Sequence, residues 1–139
     1  MIERTALWPG RIRLTDKFFD SLQEHAVPLD CEAIGFRWIV GDDRAQSVYA
    51  FIRNGGDDVS PVIALCNFTP VPRLDYRIGL PAAGTWREIL NSDATLYGGS
   101  GSGNLGAVHA APDPRHGLPA SASLTLPPLS TLYLEFSPA

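Results

Sequence analysis

Two adjacent acidic pairs, Asp42 with Asp43 and Asp57 with Asp58, are the side chains best suited to acid–base chemistry in this sequence. Such chemistry needs two carboxyl groups that face the reacting bond from opposite sides. Each pair lies in a segment with the composition of a turn, and neighbours in sequence cannot straddle a substrate in that way. We therefore predict that the chain holds no catalytic residues.

A glycine-rich stretch at residues 101–106, GSGNLG, matches the G-x-G-x-x-G pattern of dinucleotide sites. A dinucleotide site requires this turn to open a helix whose first amide groups face the pyrophosphate. Pro112 and Pro114 follow within a few residues, so no helix can begin there. We interpret the stretch as a packed glycine-rich loop, and we expect no cofactor.

Two histidines, His109 and His116, lie in the same segment as Asp113. Zinc sites usually combine three or four ligands with closely spaced pairs, such as H-x₃₋₅-H or C-x₂₋₄-C. Only His25 remains as a further histidine, and both cysteines are poorly placed. No metal site is therefore predicted.

Asn67 opens the tripeptide Asn-Phe-Thr, which has the form of an N-glycosylation sequon. The tripeptide follows an apolar run and is followed by Pro70, which makes glycosylation an unfavoured interpretation. Pro70 and Pro72 remove backbone donors from this turn. We predict instead that the Asn67 side chain makes hydrogen bonds to the backbone of residues 69–72.

Aromatic side chains form the one ambiguous group. Exposed rings can stack on the faces of sugars, whereas most rings in a small domain pack in its core. Core or interdomain packing is the favoured interpretation for Trp38, Trp86 and Tyr97, and a sugar-binding platform stays open. The rings considered for such a platform are Trp38, Tyr49, Trp86, Tyr97 and Tyr133.

The composition is that of a single small folded domain. The 139 residues carry a formal net charge of −4, which argues against a nucleic-acid partner because phosphate-binding surfaces show a basic excess. No apolar run approaches the ~20 residues of a membrane span, and no signal peptide is recognised. Cys31 and Cys66 are too few for a disulfide framework and are expected to be reduced. We expect a cytoplasmic protein without membrane contact.

Short β-runs separated by Gly, Pro, Asn and Asp follow one another from residue 36 onward. We predict an all-β antiparallel sandwich in which residues 62–68 form a central strand and Phe68 and Leu134 lie in the core. Residues 54–58 are predicted as a hairpin loop, and residues 93–120 as one long irregular segment. The predicted strands span residues 36–41, 47–54, 61–68, 74–79, 84–91, 121–126 and 130–136.

Residues 1–34 are predicted to form a lead-in that is distinct from the sandwich at residues 35–139. Thr15 can cap a short helix over residues 16–25, and Pro28 ends it. Residues 1–14 match no recognisable pattern.

Several blocks along the chain resemble one known family. They include GFRWI at residues 35–39, LCNFTPVPR at 65–73, WREILNSD at 86–93, YGGS at 97–100 and LTLPPL at 124–129. In order and spacing these blocks are similar to the C-terminal all-β domain of bacterial 1,4-α-glucan (glycogen) branching enzymes, in the α-amylase superfamily. The resemblance covers residues 35–136.

The resemblance implies a role in glycogen biosynthesis without chemistry of its own. The family's catalytic carboxylates lie in a (β/α)8 barrel of about 250 residues, and none of its motifs occurs here. The implied role is an accessory domain that supports a catalytic barrel in cis or in trans. The residues considered for glucan or interdomain contacts are Trp38, Trp86, Tyr97, Asn104 and His116.

Two other interpretations stay open: a stand-alone α-glucan-binding module, and a separately encoded or truncated subunit that associates with a catalytic chain. If a barrel normally covers part of this domain, the isolated chain exposes that part and is expected to self-associate or to rearrange its N-terminal segment. The surfaces expected to contribute are the predicted helix, with Phe18, Phe19 and Leu22, and the loop at residues 97–105.

Overall fold

A computed structural model describes residues 33–56 and 59–138. These residues form β-strands, with short 3₁₀ turns at Ala33–Gly35 and Thr95–Tyr97. The strands are β1 (Phe36–Asp43), β2 (Val48–Arg53), β3 (Val62–Asn67), β4 (Arg73–Leu80), β5 (Gly84–Asn91), β6 (Ala107–Ala110), β7 (Ala120–Leu126) and β8 (Ser130–Ser137).

The strands form two sheets that pack face to face. The larger sheet has six strands in the order β1-β2-β3-β8-β5-β6, and the smaller sheet pairs β4 with β7. Every pairing is antiparallel. Past the end of β6, Ala111 bridges Ser121 of β7, which links the two sheets along one edge. The predicted antiparallel sandwich is confirmed.

One hydrophobic core fills the space between the sheets. Alternate side chains of the large sheet point inward, and they meet the inward side chains of β4 and β7. The core is almost wholly aliphatic apart from Trp86 and Tyr76. Its fully buried members include Ile63, Leu65, Trp86, Leu132 and Leu134 from the large sheet and Ile78, Leu80 and Leu126 from the small one.

Two predictions about core positions have opposite outcomes. Leu134 is fully buried, as expected. The prediction that Phe68 is buried is wrong, because its side chain is 61% exposed. In β3 the inward side chains are Ile63, Leu65 and Asn67, so the strand ends on an inward residue and the next side chain points outward.

The prediction of one irregular segment over residues 93–120 is also wrong, because it contains β6. This four-residue strand pairs with β5 and buries only Val108 and Ala110. Because β6 has only four residues and lies between Gly106 and Pro112, its sequence pattern is too short to predict a strand.

Some predictions concern residues that the structure does not describe. They are the helix at residues 16–25, the pair Asp57 and Asp58, and Cys31. Cys66 is a free cysteine, and burial raises the pKa of its thiol.

Candidate functional site

The outer face of the large sheet differs in chemistry from its inner face. On β2, Val48, Ala50 and Ile52 enter the core, whereas Tyr49 and Phe51 point to the other side. On β1, Trp38 lies directly opposite Phe51, and Phe36 lies opposite Arg53. The hairpin of β1 and β2 therefore presents aromatic side chains in neighbouring cross-strand positions.

Five rings on this side, Phe36, Trp38, Tyr49, Phe51 and Phe68, are here named the aromatic face. Neighbouring ring centroids in this group lie between 5.2 and 6.0 Å apart. The interplanar angles are 88° between Phe36 and Trp38, 79° between Trp38 and Phe51, and 71° between Tyr49 and Phe68. These three contacts are edge-to-face, and the tilted contact between Trp38 and Tyr49 joins the two groups into one cluster.

The aromatic face is largely open to solvent. Trp38 is 53% exposed and Tyr49 is 38% exposed, in addition to the exposed Phe68. The Arg53 guanidinium lies 5.9 Å from the centre of the Phe36 ring, which places a cation at the border of the face. Three of the five ring contacts are edge-to-face, so the rings do not form one flat row.

Farther along the same side of the sheet, the apolar side chains are buried. Val62, Ala64, Leu90 and Tyr133 form a second cluster, against which Tyr97 is packed. Tyr133, one of the rings considered for sugar stacking, is thus covered. Leu96 and Leu105, in the loop that carries Tyr97, are exposed.

The two tryptophans singled out from the sequence lie in opposite environments. Trp86 is fully buried in the core, and its Nε1 donates a hydrogen bond to the Ala82 carbonyl at 3.0 Å. It contacts Phe136 and cannot reach a ligand. Trp38 is not a core residue, so interdomain packing or ligand contact remain as its interpretations.

Asn104 fastens the glycine-rich loop to β7. Its side chain pairs with the backbone of Thr125, accepting from the amide at 2.7 Å and donating to the carbonyl at 2.9 Å. It also donates to Glu88. The G-x-G-x-x-G stretch leads from here into β6, so the helix that a dinucleotide site requires is absent from this part of the described chain.

Asn67 organises the turn after β3 through the hydrogen bonds expected from the sequence. Its amide nitrogen donates to the carbonyls of Val71 and Pro127, at 2.9 and 3.1 Å. Its carbonyl oxygen accepts from the Thr69 amide at 3.0 Å. A buried side chain thus replaces donors that Pro70 and Pro72 cannot supply.

His116 fixes the loop between β6 and β7 against β4. The Gly79 amide donates to its Nδ1 at 3.0 Å, so that nitrogen must be unprotonated. A Cβ atom at Gly79 would lie 2.1 Å from the Arg115 carbonyl oxygen, which shows how closely the loop approaches. Burial, and next the positive charge of Arg115, lower the pKa of His116.

A cleft opens beside this contact, between β1 and β4. Its volume is about 470 Å³, and Asp43 and Tyr76 are among the residues that line it. The Tyr76 hydroxyl donates to Asp43 Oδ2 at 2.9 Å. Burial and the Asp43 carboxylate both raise the pKa of Tyr76, so its hydroxyl keeps its proton. The remaining lining residues are Ile39, Val40, Asp42, Gln46, Leu74, Asp75, Arg77, Arg115 and His116.

The other polar residues considered for chemistry have separate structural partners. His109 lies 3.2 Å from the Thr85 hydroxyl, and Asp113 forms an ion pair with Arg77. Across residues 33–56 and 59–138, no three His, Cys, Asp or Glu side chains are grouped so that they could hold a metal ion. Within those same ranges no helix has the length and apolarity to cross a membrane.

The structure therefore separates the five residues predicted for glucan or interdomain contacts. Trp38 lies on the aromatic face, Trp86 in the core, Tyr97 beside the second cluster, Asn104 at β7 and His116 at the cleft. Sequence reasoning missed Phe36 and Phe51 as members of the aromatic face. The available signal was the alternation of aromatic residues at positions 36 and 38 and again at 49 and 51.

Comparison with known proteins agrees with this architecture. Residues 38–137 match the family described as alpha amylase, C-terminal all-beta domain. The chain is 60% identical over 106 residues to the 1,4-alpha-glucan branching enzyme GlgB of Burkholderia vietnamiensis, covering 76% of this chain and 14% of that protein. It is 53% identical over 107 residues to the enzyme of the same name from Paraburkholderia xenovorans, covering 77% of this chain and 14% of that protein.

The chain thus spans about one seventh of the length of these curated relatives. The family match begins within β1 and ends with β8, and so includes both sheets, the cleft and all of the aromatic face except Phe36. The chain belongs to the family of alpha-amylase C-terminal all-beta domains.

Proposed function

We propose that this chain is a non-catalytic accessory domain of a 1,4-α-glucan branching enzyme and that it docks on the catalytic barrel through its aromatic face. The exposed aromatic cluster is the observation that carries the docking proposal. Two of its rings, Trp38 and Phe68, are more than half exposed and take no part in the hydrophobic core. Soluble monomers rarely keep contiguous apolar patches of this kind without a partner.

The length of the relatives supports the choice of partner. Because the chain covers 14% of each branching enzyme that it matches, most of such an enzyme lies outside it. Aromatic residues are enriched at the buried centres of protein interfaces. The edge-to-face packing holds the rings in place before docking, which lowers the entropy lost on association. A role in glycogen biosynthesis and a cytoplasmic location go with this proposal.

The absence of activity in the chain alone is part of the same proposal. Asp43, one of three aspartates that line the cleft, is already engaged by the Tyr76 hydroxyl and by the Gln46 backbone amide. Purified chain is expected to give no branching or hydrolysis on amylose or glycogen. Turnover that co-purifies with the chain and is absent from a mock preparation would overturn this part.

A chimera tests the docking surface. The corresponding segment of the Burkholderia vietnamiensis enzyme is replaced by this chain, and the double variant Trp38→Ser with Phe68→Ser is introduced. We expect a lower thermal midpoint, faster proteolytic release of the domain and lower branching activity. Val71→Ser is the matched control, because Val71 is 51% exposed and belongs to neither the aromatic face nor the cleft.

Other docking surfaces, and other segments that could cover the aromatic face, give different results in these experiments. Loss on Leu105→Ser without loss on the aromatic double variant would assign docking to the loop at residues 97–105. Equal behaviour of the aromatic variants and the control would overturn docking by the aromatic face. If deleting residues 1–32 from the isolated chain raises the reactivity of Trp38 towards N-bromosuccinimide, the chain's own N-terminal segment covers the face.

The same materials test the interpretation as a separate subunit. A branching enzyme that lacks the segment matching this chain is mixed with purified chain. Restoration of its thermal midpoint in trans would show that a covalent link is unnecessary. Restoration only in the fused chimera would favour a domain in cis.

A further inference from the structure

The cleft between β1 and β4 has a lining with both signs of charge. Asp42, Asp43 and Asp75 supply three carboxylates, and Arg77 and Arg115 supply two guanidinium groups. Of these, Asp43 already accepts from Tyr76 and Arg77 already pairs with Asp113. A phosphate would meet the three carboxylates, and a divalent cation would meet the two guanidinium groups. A neutral ligand with many hydroxyl groups can donate hydrogen bonds to the carboxylates and accept them from the guanidinium groups. This is the class of ligand that the lining suits.

The cleft also has an apolar part. Leu74 and Ile39 contribute to its wall, and Leu74 is well exposed there. Sugar rings carry apolar C–H faces between polar edges, so an aliphatic wall beside polar groups matches both parts of a pyranose. A volume of about 470 Å³ lies in the range of small-ligand sites, roughly 300–1,000 Å³.

The backbone on both sides of the cleft departs from regular strand geometry. The β1–β2 pairing shifts register between Val40 and Asp43, and the β4–β7 pairing shifts between Arg73 and Tyr76. Bulges re-aim side chains and are common beside binding sites. Here the two register shifts include Asp42 and Asp75. Asp75 has a φ of 54°, which is unusual for a residue other than glycine.

Hydrogen bonds join the elements that line the cleft. The Tyr76–Asp43 hydrogen bond joins β4 to β1, and Asp43 Oδ1 accepts from the Gln46 amide at 3.0 Å. On the other side, the contact between His116 and Gly79 fixes the loop that carries Arg115. Sites that are already formed before binding lose less entropy when a ligand enters.

We propose that this cleft is a binding subsite for a short α-1,4-linked glucan segment, with Asp42, Gln46, Asp75 and Arg115 holding sugar hydroxyls and Leu74 packing on a ring face. The choice of α-1,4-glucan as the sugar rests on the proposed function. The cleft lies between the sheets, whereas the aromatic face covers the outer side of β1 and β2. One domain would then dock on the enzyme by one surface and hold a glucan chain at another.

The test is an NMR titration of the 139-residue chain with maltoheptaose, with cellohexaose as the β-1,4-linked control. We expect saturable shift changes for the backbone amides of residues 42–46, 74–77 and 115–116 with maltoheptaose. Arg115→Ala is expected to weaken binding about tenfold, the size of one lost hydrogen bond to a charged group. Gln46→Ala should weaken it less. Arg87→Ala is the matched control, because this exposed arginine lies on β5 and away from the cleft.

Several results would overturn the glucan subsite. They are the absence of saturable shifts, shifts confined to Trp38 and its neighbours, equal binding of cellohexaose, and unchanged affinity of Arg115→Ala. Shifts of the same amides on addition of CaCl₂ alone would indicate a cation site instead. Because the titration uses the isolated chain, its failure leaves the docking result in the chimera unaffected, and failure of docking leaves this titration unaffected.

Discussion

The two faces of the six-stranded sheet use apolar side chains for different ends. The inner face is aliphatic around one tryptophan, and its members at Ile63, Leu65 and Leu134 are fully buried. The outer face is aromatic at β1, at β2 and at Phe68 just after β3, and it keeps Trp38 and Phe68 more than half exposed. Both faces arise from the same strands, since alternate residues of each strand point in opposite directions.

This difference separates stability from recognition. Burial of apolar area between the sheets stabilises the fold whether or not a partner is present. The exposed rings contribute little to this stabilisation in the isolated chain, because much of their surface remains in water. The free energy of burying that surface is gained only when another surface covers the rings. Mutations on the two faces should therefore affect different measurements.

Leu134→Ala tests the inner face and is the largest effect expected. The side chain is fully buried in the middle of the sheet, so its truncation loses burial and leaves a cavity. We expect a loss of about 2–5 kcal/mol in the free energy of unfolding, measured by urea denaturation. A loss below about 1 kcal/mol would show that the core relaxes around the missing side chain, and it would contradict the claim that the inner face stabilises the fold.

Asn67→Ala tests the polar residue at the end of an inner row. The change leaves the Val71 and Pro127 carbonyls and the Thr69 amide without their partner. We expect a loss of about 1–3 kcal/mol in the same measurement. Asn54→Ala is the control, because its bond to the Ile34 carbonyl is exposed and solvent can replace it. Equal losses for the two variants would remove the special role of Asn67.

Phe68→Ala tests the aromatic face. Since the ring is mostly exposed, we expect a loss of less than about 1 kcal/mol in stability. The isolated chain should nevertheless self-associate less, as measured by sedimentation velocity over a range of concentrations. A monomer at all concentrations before and after the change would show that the face does not pair with itself.

Protonation of His116 is the smallest effect expected. Burial and Arg115 lower its pKa in the fold, whereas Asp43 opposes them, so the unfolded chain binds the proton more readily. Its contribution to stability is therefore fully present above the ordinary histidine pKa of about 6.5 and is lost as pH falls below that value.

Thermal midpoints of the parent chain and of His116→Asn, compared between pH 7.5 and 5.5, would measure this contribution. The parent should lose more on acidification than the variant, since protonation of Nδ1 also breaks the bond from Gly79. His109→Gln is the control and should behave like the parent. Identical slopes for parent and His116→Asn would contradict the assignment.

Local patterns were enough to predict much of the sandwich. The run at residues 62–67 is apolar on both faces and is stopped by two prolines, so its central position could be read directly. Alternation at residues 130–137 identified β8 in the same way. In contrast, β6 gains its identity from pairing with β5, which a four-residue pattern cannot reveal.

The candidate sites were harder to predict because they depend on facing direction and distant neighbours. Trp38 and Trp86 are the same residue type in similar strands, and only the side to which each points makes one exposed and one buried. The cleft joins three segments, around Asp42, Asp75 and Arg115, that are far apart in sequence. No local spacing rule connects them.

The place of β8 has a consequence for how the domain can be made. It lies between β3 and β5, so it is the only described strand that joins β1-β2-β3 to β5-β6. Before Ser130–Ser137 leaves the ribosome, strands β1-β2-β3 and strands β5-β6 cannot join into one sheet, and β3 and β5 each keep an unpaired edge. Folding must therefore wait for this strand, and its arrival closes both edges in one step. A message truncated before Ser130 would yield an aggregation-prone intermediate rather than a smaller functional domain.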